Sequence, residues 1–350
     1  MFKGARLSGL LIVSSLFTVA TSGQQASPPA QVANGRMYLD VVVTDKSGQS
    51  VTDLQQQDFT LLDNKAPQTI TSFESVNGRQ APIEVVVVID AVNIGYQNIA
   101  FQRGQIEKFL RDEGGNLAYP LALAVFSDTG TKVVAGFSSD GNALSAALDK
   151  EQIGLRDIGR SAGYYGATER LQLSLNAMGQ VIGSLAKRPG RKVVIWVSPG
   201  WALLSGPRME LDAKQEQQIF ANVVRLSTQL RTANITLYSI DPGGPSGSVT
   251  EDWTYEQYVK GITKPAQAQL GDLSLQVLSV QSGGVAFNFT NGIADRLHKC
   301  VADSVPYYEI SFDPPPATKP DEYHALQIKL AKSGLVARTR QGYYAQALQQ

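Results

Sequence analysis

The stretch at residues 83–90, IEVVVVID, constrains the fold of this chain more than any other. A strand with one wet face alternates apolar and polar residues, because successive side chains point to opposite faces. Val85 to Ile89 show no such alternation. An unbroken β-branched run suits a parallel sheet covered by helices on both faces. The sequence downstream agrees, with strand-like and helix-like segments taking turns. Helical periodicity is expected over 99–111, 142–150, 168–185, 209–232, 267–281 and 291–303. Strands are expected over 122–126, 132–137, 192–197, 235–240 and 284–287. This pattern predicts an α/β fold, a doubly wound and mostly parallel sheet of Rossmann-like kind.

The two flanks read differently. Residues 37–45, 59–62 and 68–73 form short runs separated by turn signals at Lys46-Ser47-Gly48 and Asp63-Asn64-Lys65. Residues 307–312, 323–330 and 336–340 repeat that style, with Pro314-Pro315-Pro316 and Lys332-Ser333-Gly334 as breaks. Either flank alone would bury little core, so the two are expected to pair into one small β-sandwich-like unit around the inserted α/β domain. At the start, Lys3 and Arg6 precede an apolar run of about 14 residues and then small residues near Ser22, the layout of a cleaved secretory signal. That run falls short of the roughly 20 residues of a spanning helix. The expected organisation is a signal peptide at 1–22, a polar linker at 23–35, an N-terminal β unit at 36–80, the α/β domain at 81–305 and a C-terminal β unit at 306–345. The mature chain is then exported, periplasmic or extracellular, with no transmembrane segment.

Composition narrows the function classes. Lysine and arginine number 31, balanced by 31 acidic residues, which argues against a nucleic-acid partner. One cysteine excludes an intramolecular disulfide framework, and the two histidines leave no zinc-site spacing.

Three features carry a family likeness: a buried strand ending in Asp90, Gly166-Ala167-Thr168 opening a long helix, and a strand running into Ser198-Pro199-Gly200. Over roughly 83–305 the chain resembles the von Willebrand factor type A domain. The flanks, including VVVTDKSGQSVTDLQQQDFTLLDN and YYEISFDP, look like those of exported bacterial proteins related to that domain, of the acidobacterial type. The resemblance implies a non-catalytic adhesion or protein-interaction module that binds a protein partner through loops at the C-terminal edge of the sheet. It also implies a metal-ion-dependent adhesion site, with Asp-x-Ser-x-Ser after the first strand, a threonine before a helix and a second aspartate in a later turn. Magnesium wants hard oxygen ligands in octahedral geometry. This chain departs from the motif. Val92 and Ile94 stand at the serine positions and Pro199 at the later aspartate, while Asp90 and Thr168 match. The standard site is therefore expected to be degenerate, with no cofactor.

Asp90, Asp128 and Asp241 each follow an expected strand, so with Asn93, Thr168 and Ser198 they could gather oxygens for Mg2+ or Mn2+ in a non-standard way. As turn formers and helix caps, the same residues need no ion at all. The glycine-rich segment after Asp241, followed by Trp253 and Tyr255, joins Tyr164, Tyr165 and Trp201 as candidate partner-binding aromatics.

Two other functions compete. Gly159-Arg160-Ser161-Ala162-Gly163 fits a hydrolase nucleophile elbow, and Ser161, Asp241 and His298 stand in triad order. Residues 151–159, EQIGLRDIG, are not the apolar strand an elbow requires. The second alternative is a structural envelope component assembling through its β unit. His298 is expected to be solvated on its helix, His324 to lie on a strand surface, and Cys300 to be a buried structural thiol.

Overall fold

The run at residue 83 becomes strand β5 (Ile83–Asp90), and both of its faces are covered. Val86 and Val88 enter one core cluster, while Val85, Val87 and Ile89 enter another on the opposite face of the sheet. The computed structural model describes residues 35–78, 81–151, 164–201, 211–243, 255–288 and 292–345. The expected signal peptide, Ser161 and Trp253 lie outside them, and the side chains of Tyr164 and Tyr165 are likewise undescribed.

Among the described residues, the central sheet has six strands. Beside β5 run β8 (Arg191–Val197) and β6 (Asn116–Ser127), both parallel to it. Next to β8 come β9 (Ile235–Ile240) and the short β10 (Ala286–Phe287), again parallel. Beyond β6, β7 (Gly130–Asp140) closes the other edge antiparallel, through register shifts. The order β10-β9-β8-β5-β6-β7 is a doubly wound, mostly parallel sheet.

Helices α1 (Tyr96–Arg111), α2 (Gly141–Lys150) and α6 (Ile293–Ala302) contribute Ile106, Leu144 and Leu297 to one face. Helices α3 (Tyr164–Leu185), α4 (Ala213–Thr232) and α5 (Leu275–Gln281) contribute Leu175, Val223 and Leu278 to the other. The caps are local: Asp140 and Ser274 accept from the third residue beyond, and Asp212 forms a capping box with Gln215. The helix expected over 267–281 is broken. Short 3-10 turns at Pro265–Gln267 and Leu270–Leu273 precede α5. At Gly284 a Cβ would stand 1.8 Å from the Leu237 carbonyl oxygen, so the close approach to β9 admits only glycine. Among the described residues, no helix is long and apolar enough to cross a membrane.

The flanks interleave. β1 (Met37–Asp45) pairs with β11 (Tyr307–Phe312) and β13 (Leu335–Arg338), and β11 pairs with β4 (Ser72–Val76), all antiparallel. β12 (Glu322–Leu330) pairs with β2 (Phe59–Asp63) and β14 (Gly342–Ala345), and β2 pairs with β3 (Ala66–Gln68). Each four-stranded sheet thus draws two strands from either flank. Leu39, Val41, Tyr308 and Ile310 of one sheet meet Phe59, Leu61, Leu326 and Tyr343 of the other in a third core cluster, as in a β-sandwich. His324 is not on the surface. It is 5% exposed, its Nδ1 is 2.8 Å from Asp63 Oδ1, and its ring stacks on Tyr343, whose hydroxyl donates to Asp63 Oδ2 at 2.7 Å. The strand's alternation was masked because the inward residue is itself polar, with Nδ1 paired to Asp63 and Nε2 buried without a hydrogen-bond partner. Cys300 is a buried free thiol.

Tyr344 joins the sandwich to the α/β domain. It is 2% exposed, meets Phe220 of α4 edge-on at 6.0 Å and Tyr323 at 5.1 Å, and donates to the Ile262 carbonyl at 3.1 Å. Tyr344→Ala is expected to cost about 3–5 kcal/mol, and Tyr344→Phe only about 1 kcal/mol, read from urea midpoints. Asp272 gives a second test. Burial raises its carboxyl from 3.8 to about 6, while Oδ2 accepts the Gln269 amide at 2.7 Å. The folded state therefore binds the extra proton between those values, and stability falls as pH rises through that window. Asp272→Asn keeps an acceptor, so it should melt higher than wild type at pH 8 and match it at pH 3.

Candidate functional site

The C-terminal ends of the parallel strands form one edge, where α/β sheets place ligands. Asp90 ends β5 there with no solvent exposure. Its Oδ1 accepts the backbone amides of Val92 and Asn93, each at 2.9 Å. Its Oδ2 accepts Asn93 Nδ2 at 2.9 Å and the Trp196 indole at 3.3 Å, and the Ser198 hydroxyl also bonds the carboxylate. Burial pushes the Asp90 carboxyl above the usual carboxylate range, against the pull of these bonds.

The residues after Asp90 turn inward. Val92 and Ile94 are 6% and 3% exposed, and Val92 joins the core beneath α3. Asn93 Nδ2 spans Asp90 and Ser174 Oγ, the latter at 3.0 Å, and Asn93 Oδ1 is buried without a hydrogen-bond partner. At the next strand, Gly200 adopts φ +105° and its amide donates to Ser198 Oγ at 3.1 Å. Asp241 follows β9, and its Oδ1 accepts the Gly243 amide at 3.0 Å in an Asx-type turn. The register Ile89↔Val197 and Val197↔Ile240 sets Asp90, Ser198 and Asp241 level on three adjacent strands. Asp90 and Asp241 are thus two strand spacings apart, about 10 Å. Asp128 sits in the β6–β7 turn, and Thr168 is exposed near the start of α3.

A divalent ion would need oxygens that this edge largely commits to its own backbone. Both Asp90 oxygens already accept protein donors, Val92 and Ile94 offer no side-chain oxygen, and Asn93 Oδ1 is one buried acceptor where magnesium needs six oxygens. Among the described residues, no group of three acidic, histidine or cysteine side chains is placed to hold a metal. The described side chains immediately around Asp90 do not by themselves supply an octahedral oxygen set.

Trp201 is 5% exposed and packs edge-on against Trp196 at 6.0 Å, so its ring belongs to the core. Tyr255 opens a 3-10 turn (Tyr255–Tyr258) and is half-buried. Asn98 Nδ2 donates to the Gly243 carbonyl at 3.1 Å and Gln102 Nε2 to the Val197 carbonyl at 2.7 Å, so α1 clamps the ends of β8 and β9. Residues Trp196, Ser174 and Gln102 were not read from the sequence as part of this edge. Gln102 falls between Ile99 and Ile106 at helical spacing on the apolar face of α1, and that position was the available signal.

His298 is drawn away from the triad order suggested by the sequence. Its Nε2 lies 2.8 Å from Asp112 Oδ2 and its ring meets Phe109 edge-on. Asp112 follows the C-terminus of α1, at the opposite edge of the sheet from Asp241.

No family model matches the chain, and no curated protein does. Solved structures similar to it include proximal thread matrix protein 1 of the mussel byssus, at 12% identity over 67% of this chain and 50% of that one, with TM-score 0.38. Manganese-loaded TRAP protein of Plasmodium vivax matches at 12% identity over 80% and 97%, with TM-score 0.34. The VWA domain of SpRpn10 matches at 14% identity over 63% and 95%, with TM-score 0.29. The chain spans about half the length of the mussel byssus proteins it matches. At such scores the fold assignment rests on the chain's own strand order.

Asp90→Ala would leave two backbone amides and an indole without their acceptor in a buried site. A loss of about 3 kcal/mol or more is expected in chemical denaturation, against about 1 kcal/mol for an exposed helix change such as Gln172→Gly.

Proposed function

We propose that this chain is an exported, non-catalytic recognition module of von Willebrand A-like fold, binding a protein partner through loops at the C-terminal edge without a standard metal site. The observation that carries the reading is the saturated Asp90 carboxylate, which serves the loop backbone rather than an incoming cation. Anchored from within and clamped by Asn98 and Gln102, the edge is a rigid platform, and preorganisation lowers the entropy lost on association. Trp253 and Tyr255 follow β9 in sequence, after the glycine-rich stretch beyond Asp241. The serine-hydrolase alternative loses support from the pairing of His298 with Asp112.

Calorimetric titration of Mg2+ and Mn2+ into the full chain, with Asp90→Asn beside it, tests the reading. No saturable heat is expected from either ion. Heat in the wild type that vanishes in Asp90→Asn would instead establish metal-dependent adhesion. For the binding surface, a partner retained by wild type and by Tyr38→Ala should be lost on Trp253→Ala with Tyr255→Ala, at unchanged Tm. Ester hydrolysis abolished by Ser161→Ala would overturn the non-catalytic reading.

A further inference from the structure

Opposite the loop edge, the sandwich meets the α/β domain around a small polar cleft of about 20 Å³. Arg191 begins β8, Arg231 lies in the last turn of α4, Arg340 lies between β13 and β14, and Asp40 comes from β1. Three guanidinium groups therefore line the cleft with a single carboxylate. Arg191 is 2% exposed; its Nε is 3.1 Å from Asp40 Oδ2 but out of line for a hydrogen bond, and its Nη1 donates to the Ser304 carbonyl at 2.7 Å. Arg340 Nη2 reaches the Ile235 carbonyl at 3.3 Å. Arg231 Nε and Thr339 Oγ1 are buried and have no hydrogen-bond partner.

The surrounding charges do not balance this set. Arg338 is ion-paired with Asp303, and Lys192 Nζ donates to the Arg188 carbonyl at 2.8 Å. Glu309 and Glu74 stand in register with Asp40 on β11 and β4, outside the cleft lining. Carbonyls at the C-terminus of α4 offset part of the positive charge. Burial and the neighbouring Arg231 still pull Arg340 down to about 10, the mark of like charges held close without a full counter-charge.

We propose that this cleft binds one small inorganic anion of the chloride class, held by the unpartnered Arg231 Nε–H and Thr339 hydroxyl between Arg191 and Arg340. Size selects the class. One water-sized occupant needs roughly 10–15 Å³ of such volume, so the cleft takes a monatomic ion and not a tetrahedral oxyanion such as phosphate or sulfate. Asp40, Thr339 and Arg340 belong to the flanks, whereas Arg191 and Arg231 belong to the α/β domain. The ion accordingly ties the two together, and its binding is linked to folding.

The test is thermal unfolding of the full chain in sodium chloride and in sodium gluconate at matched ionic strength, alongside chloride-35 NMR line widths. Chloride should raise the wild-type Tm saturably, by roughly 2–5 °C over gluconate. It should also show excess line broadening, and both effects should fall away in Arg231→Gln or in the milder Thr339→Val. Coincident chloride and gluconate curves for the wild type would mean water alone fills the cleft and would overturn the proposal, as would a chloride response kept in both variants. A Tm rise produced by sulfate alone would refute the size argument.

Discussion

Everything in the central domain follows from burying β5 on both faces. Val86 and Val88 need one helical layer and Val85, Val87 and Ile89 another, so the neighbouring strands must be parallel and joined by helices that cross over the sheet. The same winding brings the C-terminal ends of β5, β8 and β9 to one edge. It also leaves Asp90, the last residue of β5, without solvent exposure. A buried carboxylate must be hydrogen-bonded or it is costly. Asn93, Trp196 and Ser198 meet that demand, and in doing so they consume the lone pairs that would otherwise serve a ligand.

That economy links local sequence to chemistry. With serine at residues 92 and 94, the loop after Asp90 would expose hydroxyls toward the edge. Valine and isoleucine instead draw it into the core, and the backbone amides of residues 92 and 93 then fold back on the carboxylate. The polar character of the edge is spent on rigidity.

How much of this was legible in the sequence depended on how local the determining contact is. The unbroken runs of β5 and β8 announced their own burial, and the spacing of Asp90 and Asn93 placed both in one turn. The antiparallel edge strand β7 was legible as a strand, but its direction follows from a tight turn at Gly130 and from pairing with β6. The helix expected over 267–281 begins only at Leu275, N-capped by Ser274, and Gly271 before it lies against the Tyr258 ring, a contact its own periodicity does not encode. His324 was misread as a surface residue because Asp63, its partner, lies 261 positions away. Trp196 as a donor to Asp90 was hidden for the same reason, since an indole in an apolar run reads as core.

The flanks show why the junction is polar at all. Leu39, Val41 and Val43 of β1 point into the sandwich, so Asp40 and Val42 must face the α/β domain. Likewise Tyr308 enters the sandwich core while Tyr307 enters the α/β core, under the guanidinium of Arg191 at 4.6 Å. Strands with a period of two thus serve two cores at once, and a polar residue on the second face can be tolerated only where the other domain supplies its counter-charge. Arg191 does that for Asp40. Arg231 and Arg340 then crowd the same cleft, and their excess charge, not the Asp40 pair, makes an added anion the consistent completion of the interface.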